Sequence, residues 1–436
     1  MVDDMTAIII ALSTTLLMIL SVLFKPQIII GRVKIGLYWL ICLIGAIFML
    51  LLGDFSFDYL WKNITSSASI NPIKILVLFL SMTLLSVFLG DAGFFYLVAD
   101  KVFGSKKGGQ FKLFLTLYFA VAVLTVFTSN DIIILTLTPP ICIFCKRAKI
   151  SPLPFLIGEF VCANTWSIML IIGNPTNVYL AQSAGVGFVD YLLVMGLPAL
   201  VCGLVSLGVL LLLFRKQLAL PIPQVEKQFD SPPADKVRMN VAIIHLLVCL
   251  ILLSVADFIG IEMWLVTLIL CLSLIVFNLV YGIVKDRNLT KVLLSLKKAP
   301  YELIPFVLSM FTLVCGLNYS GVTQKINSLL WTGNKMDAVT FTLTSTLSAN
   351  LLNNIPMSVL FSSILGAGKG YALFGTIIGS NVGAFLTPVG ALAGIMWSRI
   401  LGDYDVSLPF YKFMLYGLAV AIPTALLSSI TLFLTV

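Results

Sequence analysis

Four short polar clusters interrupt the long apolar stretches of this 436-residue sequence. Asn, Ser and Thr side chains, and backbone groups freed by Gly or Pro, can bind a small solute or cation without carrying charge themselves. The ends of broken helices add unpaired N–H groups for anions and unpaired C=O groups for cations. The residues of these clusters that we predict to bind a small ion or oxyacid are Ser129, Asn130, Asp131, Gly173, Asn174, Thr176, Asn177, Ser348, Asn350, Asn353, Asn354, Asn381 and Thr387.

The same residue types can also serve only to join membrane helices to one another. That alternative is favoured for any single asparagine. Here, however, a polar turn followed by a broken helix occurs once in each half of the chain. The repetition favours one shared binding site.

Two carboxylates within apolar stretches, Asp131 and Glu159, are candidates for proton coupling. A carboxylate at bilayer depth costs about 2.5–3.5 kcal/mol on insertion scales, so its presence indicates a function. Three roles are open for Asp131. It carries a proton, it supplies a fixed negative charge for a cation, or its carboxylate only accepts hydrogen bonds at a turn. Glu159 is either interfacial or a second coupling group. His245 is predicted to be a helix-core residue, and Asp91 to cap a helix break.

The composition predicts an integral membrane protein that is not an enzyme. Hydrophobic residues make up 60% of the chain and charged residues 11%, and apolar runs long enough to span a bilayer recur throughout. The longest polar stretch, residues 215–238, leaves no room for a soluble catalytic domain. The net charge of +8 falls in short loops, which argues against nucleic acid as a partner.

The cysteines indicate neither a metal centre nor a redox site. All eight lie in or beside apolar segments, where a thiol behaves as a small apolar side chain. No cofactor is expected. The one metal considered is Na⁺, for which the oxygen donors would come from Ser129, Asn130, Ser348 and Asn350.

The distribution of basic residues predicts a re-entrant hairpin over residues 113–145. Basic groups flank this apolar segment on both sides, within 106–112 and 146–149, so both of its ends are expected in the cytoplasm. One span would place the second group outside, and two full spans need about 40 residues. A hairpin that turns at Thr128-Ser129-Asn130-Asp131 satisfies both constraints.

A second hairpin is predicted over residues 337–366, interrupted at Ser348-Ala349-Asn350 and again at Asn353–Pro356. Its flanks are nearly free of basic residues, so it is expected to open to the outside. This arrangement places 22 of the 27 Lys and Arg residues in the cytoplasm of a bacterial cell, with both termini outside its inner membrane. One hairpin from each side is typical of inverted-repeat transporters.

The predicted fold is therefore an all-α polytopic membrane protein with two inverted repeats, each with a re-entrant helical hairpin and a broken transmembrane helix. The predicted parts are N-terminal scaffold helices (1–69), a first inverted repeat (70–214), a cytoplasmic linker with two connecting helices (215–300), and a second inverted repeat (301–436).

Several motifs resemble the ion transporter superfamily, which contains the arsenical pump membrane proteins, citrate-type carriers and divalent-anion/sodium symporters. The arsenical pump branch is the most similar. The motifs are Leu89-Gly90-Asp91-Ala92-Gly93-Phe94-Phe95, Ser129-Asn130-Asp131, Asn350-Leu351-Leu352-Asn353-Asn354-Ile355-Pro356 and Thr387-Pro388-Val389-Gly390-Ala391-Leu392-Ala393. Gly173-Asn174-Pro175-Thr176-Asn177 instead looks like the Gly-x-Pro-x-Asn of other branches, and the Ser-Asn-Thr of sodium/dicarboxylate carriers is absent.

The resemblance implies a scaffold part and a transport part whose movement gives alternating access. It also implies that Ser129, Asn130 and the backbone near Gly173 line one half of the site. Ser348, Asn350 and the stretch around Thr387 would line the other half. A homodimer is compatible with the resemblance.

The leading hypothesis is secondary active, proton-coupled efflux of arsenite or antimonite, with the proton entering through Asp131. No Lys or Arg lies in any cluster, which suits a neutral oxyacid such as As(OH)₃. The alternatives are a Na⁺- or H⁺-coupled carboxylate or anion transporter, relying on helix N-termini, and a Na⁺/H⁺ antiporter. An intramembrane aspartyl protease is disfavoured because Gly90-Asp91 lacks a Gly-x-Gly-Asp context. A primary pump is disfavoured because the sequence has no phosphate-binding loop. A separate ATPase subunit is compatible with the sequence.

Overall fold

The computed structural model describes residues 4–24, 27–30, 33–52, 55–65, 71–104, 109–223, 234–256, 258–366 and 370–436. The first-half helices are α1 (Asp4–Phe24), α2 (Leu37–Leu52), α3 (Phe57–Thr65), α4 (Pro72–Asp91), α5 (Phe94–Phe103), α6 (Gln110–Phe127), α7 (Asn130–Ala148), α8 (Leu153–Trp166), α9 (Pro175–Ser183) and α10 (Phe188–Leu218). The second-half helices are α11 (Lys236–Ala256), α12 (Met263–Tyr281), α13 (Thr290–Lys297), α14 (Leu303–Tyr319), α15 (Val322–Leu330), α16 (Asp337–Leu352), α17 (Asn354–Leu365), α18 (Tyr371–Gly383), α19 (Leu392–Asp403) and α20 (Phe410–Thr435).

Six of these helices are long and apolar enough to cross a membrane, which confirms a polytopic membrane protein. They are α4, α6, α10, α11, α12 and α20, and the pair α14–α15, bent by 80°, is a seventh candidate. Their exposed faces are apolar; on α11, for example, Ile244, Leu247 and Ile251 are more than half exposed. Such faces require contact with lipid.

The first hairpin is confirmed by the directions of its neighbours. Phe114 of α6 lies against Gly158 of α8, and one turn later Cys162 bonds to the carbonyl oxygen of Tyr118, so α6 and α8 run parallel. Since α7 joins them, it must run back between them. The basic residues within 105–108 and the middle of the predicted linker, 224–233, lie outside the described residues.

The second hairpin follows the same scheme. Side chains on every fourth residue of α16 bond to the carbonyl oxygens of the glycines on α18, Thr342 to Gly375 at 3.0 Å and Thr346 to Gly379 at 3.3 Å. The two helices therefore run side by side and in parallel. α17, which connects them, returns the chain across the same layer.

The two halves are related as inverted repeats. The helix after each hairpin breaks before α9 or α19, at Gly173 and Gly390, which are 217 residues apart. Contacts between the halves are reciprocal, because α7 packs on α19 while α17 packs on α9, and α10 packs on α20. An exchanged packing of this kind indicates an approximate two-fold relation.

The scaffold is built by exchange between the halves. α1 and α2 pack on α14 of the second half, whereas α11 and α12 pack on α4 of the first. Gly316 of α14 lies so close to Met49 of α2 that a Cβ there would touch its sulfur, and the Tyr38 hydroxyl donates to Glu302 at 2.9 Å. α4 and α14 also contact each other, which places them at the centre of the scaffold.

Several short elements were not predicted. The strands β1 (Gln27–Ile30) and β2 (Val33–Gly36) form an antiparallel hairpin between α1 and α2. α4 and α14 each turn sharply into a short helix, α5 or α15, through a glycine with positive φ, Gly93 at 95° and Gly321 at 79°. A residue without a Cβ adopts that conformation at little cost.

Two predictions about charged residues need correction. Asp91 does not cap the break after α4; it accepts hydrogen bonds from Ser295 and Lys298 on and after α13. His245 is half-buried rather than in a helix core, and its ring bridges α11 to α12 through Ser273. All eight cysteines are buried, as predicted.

Glu262, at the start of α12, forms an ion pair with Lys74 at 2.5 Å, and the Lys74 ammonium lowers the pKa of this carboxyl. A lowered pKa means that the pair stabilises the fold at neutral pH and loses its effect as pH falls through the carboxyl range. Because the pair is exposed, Glu262→Gln should cost only about 0–1 kcal/mol at pH 7. Thermal unfolding in detergent should show this difference at pH 7 and none near pH 3. Lys74→Gln should cause no further loss of stability in the Glu262→Gln variant. Additive losses in the double variant would contradict the ion pair.

Candidate functional site

The tip of the first hairpin presents unpartnered oxygen atoms. Asn130 begins α7 and donates its amide to Asn164 Oδ1 at 3.0 Å. The Asn164 amide nitrogen in turn donates to Phe160 O, so Asn164 can offer only its oxygen and the orientation of Asn130 is fixed. Asn130 Oδ1 and Ser129 Oγ are buried without a hydrogen-bond partner among the described residues. Buried polar atoms of this kind usually await a water, an ion or a ligand.

The tip of the second hairpin is at Asn353, the later of the two interruptions predicted in this segment. Asn353 has φ 73°, and its side-chain oxygen accepts from the Ile355 N–H to start α17. The Asn354 N–H donates to Gly390 O at 2.9 Å, while Asn354 Oδ1 is buried without a described partner. The two tips are thus Ser129–Asn130 and Asn353–Asn354, and each holds a buried asparagine oxygen without a described partner.

The earlier predicted interruption, Ser348-Ala349-Asn350, does not break the chain and lies in the last turns of α16. Asn350 donates to Gly383 O at 3.0 Å and accepts from the Thr387 hydroxyl at 2.6 Å. These bonds tie the hairpin arm to the break between α18 and α19. Ser348 is half-buried on the same helix. Asn350 and Thr387, which the resemblance assigns to the same half of the site, are therefore in contact.

The centre of the molecule is a network around Asn381 of α18. Its Oδ1 accepts from Ser167 at 2.9 Å and from Asn174 at 2.8 Å, and its amide donates to Asn177 Oδ1 at 2.7 Å and to Ile377 O. All four hydrogen-bonding positions of this amide are therefore used. Asn381 joins the breaks of the two halves, and no position remains for a solute in this conformation.

Each break closes tightly on the helix before it. A Cβ at Gly173 would overlap the backbone of Ser167, and a Cβ at Gly390 would overlap that of Gly383. Asn174 starts α9 by accepting from the Thr176 N–H and hydroxyl. Asn177, one turn on, donates to Ser167 O. The sequence motif from Gly173 to Asn177 thus shapes the break.

The two predicted coupling carboxylates differ in exposure. Asp131 is in the first turn of α7, where the positive end of the helix dipole favours a carboxylate, and it is half-buried. Glu159 on α8 is only 1% exposed, and its oxygens lie 2.9 and 3.0 Å from the Thr138 hydroxyl. A third carboxylate, Asp337, is bound by Thr332 and Gly333 and serves to fix a loop.

Two residues of the site were not predicted from the sequence. Asn164 holds the first tip, and Ser167 holds Asn381. Asn164 is 217 residues before Asn381, the spacing that also relates Gly173 to Gly390. Aligning the two halves of the sequence at that spacing would have found Asn164.

Comparison with known proteins defines the family. A citrate transporter profile, CitMHS, matches residues 16–370. The chain belongs to this family. It is a membrane transporter of the citrate transporter and arsenical pump group.

Two relatives match this chain over most of its length. The arsenical pump membrane protein of Escherichia coli is 27% identical over 79% of this chain and 82% of its own length. That of Yersinia enterocolitica is 26% identical over 79% and 82%. The name arsenical pump membrane protein belongs to these two relatives.

A solved structure shares the fold. The Alcanivorax borkumensis YdaH transporter, described as having an unusual topology, matches with a TM-score of 0.57 at 15% identity. The match covers 99% of this chain and 98% of that chain. The two chains therefore share a fold, and at this identity the match concerns the fold alone.

Proposed function

We propose that this member of the citrate transporter family exports a small uncharged oxyacid, arsenite or antimonite, in exchange for protons. The observation that carries the proposal is the kind of atom left unpartnered at the hairpin tips. Asn130 Oδ1 and Asn354 Oδ1 can only accept hydrogen bonds, and Ser129 Oγ can accept one. As(OH)₃ brings three hydroxyl donors, which suit acceptors of this kind.

The charge around the tips supports the same substrate class. The segments 113–145, 153–183, 337–366 and 371–398 contain no Lys or Arg. A multiply charged anion would have to be held without any cationic side chain, at a high desolvation cost. A neutral solute meets no such penalty.

We assign proton exchange at the tip to Asp131. It is only half-buried and lies in the same helical turn as Asn130, so it can take up a proton while the neighbouring oxygens release the solute. Alternating access would then move the two hairpins against the scaffold formed by α4 and α14. Export across the bacterial inner membrane, with both termini outside, is part of this proposal.

A second candidate is Na⁺- or H⁺-coupled transport of an anion or carboxylate. Its support is that the first turns of α7 and α19 have no side-chain cap, so their N–H groups face the site unpaired by a capping residue. The tip oxygens of Ser129 and Asn130, with Ser348 and Asn350, would then hold Na⁺. A Na⁺/H⁺ antiporter would use the same oxygens with Asp131.

Everted membrane vesicles test the proposal directly. We expect wild-type vesicles to accumulate radiolabelled arsenite when a proton gradient is imposed, and Asp131→Asn to lose at least about ten-fold of that gradient-dependent uptake. Asp190→Asn, a carboxylate in the first turn of α10 away from the tips, is the matched control and should transport normally. Wild-type vesicles that take up no arsenite but accumulate di- or tricarboxylates with Na⁺ would support the second candidate instead.

A further inference from the structure

The buried carboxyl of Glu159 is surrounded by too few hydrogen-bond donors to stabilise its ionised form. Its closest polar neighbour is the Thr138 hydroxyl of α7, which carries a single hydrogen. That hydroxyl also lies 2.5 Å from Ile134 O, the shorter of its contacts. Two oxygens approach so closely only with a hydrogen between them, and the carbonyl has none, so the Thr138 hydrogen points to Ile134.

The contact between Thr138 and Glu159 therefore needs a hydrogen from Glu159. An ionised carboxylate would face the lone pairs of the threonine oxygen at 2.9 Å. The indole N–H of Trp397, on α19, lies beside the carboxyl but makes no hydrogen bond of normal geometry. The geometry is that of a neutral carboxylic acid that donates to Thr138.

Among the residues that the structure describes, no cation compensates this carboxyl. The ionisable groups that face Glu159 are the thiols of Cys142 on α7 and Cys162 on α8, both uncharged in their usual state. Among the described residues, α6, α10, α18 and α19 present no acidic or basic side chain to it. An unpaired charge here would be strongly unfavourable.

We propose that Glu159 is a proton-binding site of the transport cycle, protonated in the conformation described here. Glu159 precedes Asn164 by about one and a half turns on α8, and Asn164 holds the first hairpin tip. Thr138 and Asp131 lie seven residues apart on one face of α7. A proton taken up through Asp131 would thus be held between the two helices that carry the first tip.

The same geometry links the proton to a conformational change. The interface of α7, α8 and α19 is closed around Glu159, with the Phe160 and Trp397 rings 4.9 Å apart. Loss of the proton requires water at the carboxylate, so deprotonation favours conformations in which this interface opens. A proton that binds the closed conformation better shifts the population towards it.

Glu159→Gln tests this inference, which rests on the proposed proton coupling. Glutamine keeps the size of the acid and can donate to Thr138, but it cannot release a proton. We expect arsenite-for-arsenite exchange within about three-fold of wild type, and gradient-driven accumulation reduced to the level seen without a gradient. Asp337→Asn, which alters another buried carboxylate, is the control and should keep its gradient dependence. Gradient-driven accumulation by Glu159→Gln at the wild-type level would overturn the inference.

An infrared measurement on purified protein separates this inference from the proposed substrate. Wild-type protein at neutral pH should show a carboxylic-acid C=O band that shifts in D₂O and disappears in Glu159→Gln. Absence of any such band from wild type would overturn the inference even if transport is proton-driven. If wild-type vesicles show no proton dependence while the band is present, the proposed coupling fails and the protonated Glu159 stands.

Discussion

Asn381→Leu should abolish transport and destabilise the protein more than any other single substitution at the site. Leucine is close to asparagine in size but cannot bond to the breaks of the first half. Asn174 Nδ2 and Asn177 Oδ1, both buried, lose the partner on which they depend. Each buried group left unpaired costs about 1–3 kcal/mol, so about 2–6 kcal/mol is expected in total.

Thermal unfolding in detergent, followed together with vesicle transport, would measure this effect. Asn381→Asp distinguishes the accepted hydrogen bonds from the donated one. It keeps the oxygen that accepts from Ser167 and Asn174, but it places a carboxylate oxygen against Asn177 Oδ1. It should be almost as damaging as leucine. Asn63→Leu, whose asparagine donates to Tyr59 O within its own helix, should change little. Wild-type stability in Asn381→Leu would show that the network does not join the halves.

Gly379→Val should prevent α16 and α18 from packing. A Cβ at Gly379 would overlap the Thr342 carbonyl oxygen and the Ser345 hydroxyl, and it would approach Thr346 N to 2.9 Å. Two of these atoms belong to the backbone of α16, so they cannot turn away as a side chain could. Overpacking of this kind costs about 1–3 kcal/mol even where some adjustment is possible. We expect loss of folded protein from the membrane fraction, or a large fall in unfolding temperature.

Gly208→Val is the matched control for this substitution. Gly208 lies on the exposed face of α10, and a Cβ there meets nothing within 4 Å. Because glycine is a poor helix former, valine should leave stability unchanged or slightly raised. Equal behaviour of the two variants would mean that the close contact between α16 and α18 does not limit stability.

The sequence predicted those parts of the fold that depend on local chemistry and on charge. Basic residues at both ends of 113–145 required the chain to turn back, and the structure has that hairpin. Gly and Pro near Asn174 predicted the first break at its observed place. Two interruptions were predicted in the second hairpin because three asparagines follow one another closely. Only the positive φ of Asn353 decides which of them ends the helix.

Tertiary register could not be predicted in the same way. Asn381 was identified as polar, but its use as a link between the breaks depends on how α18 lies against α8 and α9. Nor does the sequence alone indicate that Gly379 allows α16 and α18 to touch. Exchange of scaffold helices between the halves leaves no local signal either, since helices such as α1 and α2 are apolar on every side.

The exchange of scaffold helices between the halves also determines when the helices can assemble during biosynthesis. α1 and α2 emerge from the ribosome early, yet the helix on which they pack, α14, is made only after α11 and α12 have been inserted. The pair of α1 and α2, and α4 with its first-half neighbours, must therefore stay in the bilayer without these partners until the second half arrives. A truncated product that ends at the linker would leave α2 without α14 and α4 without α11 and α12. The scaffold of such a fragment would be incomplete, with helix faces that are buried in the whole protein exposed to lipid.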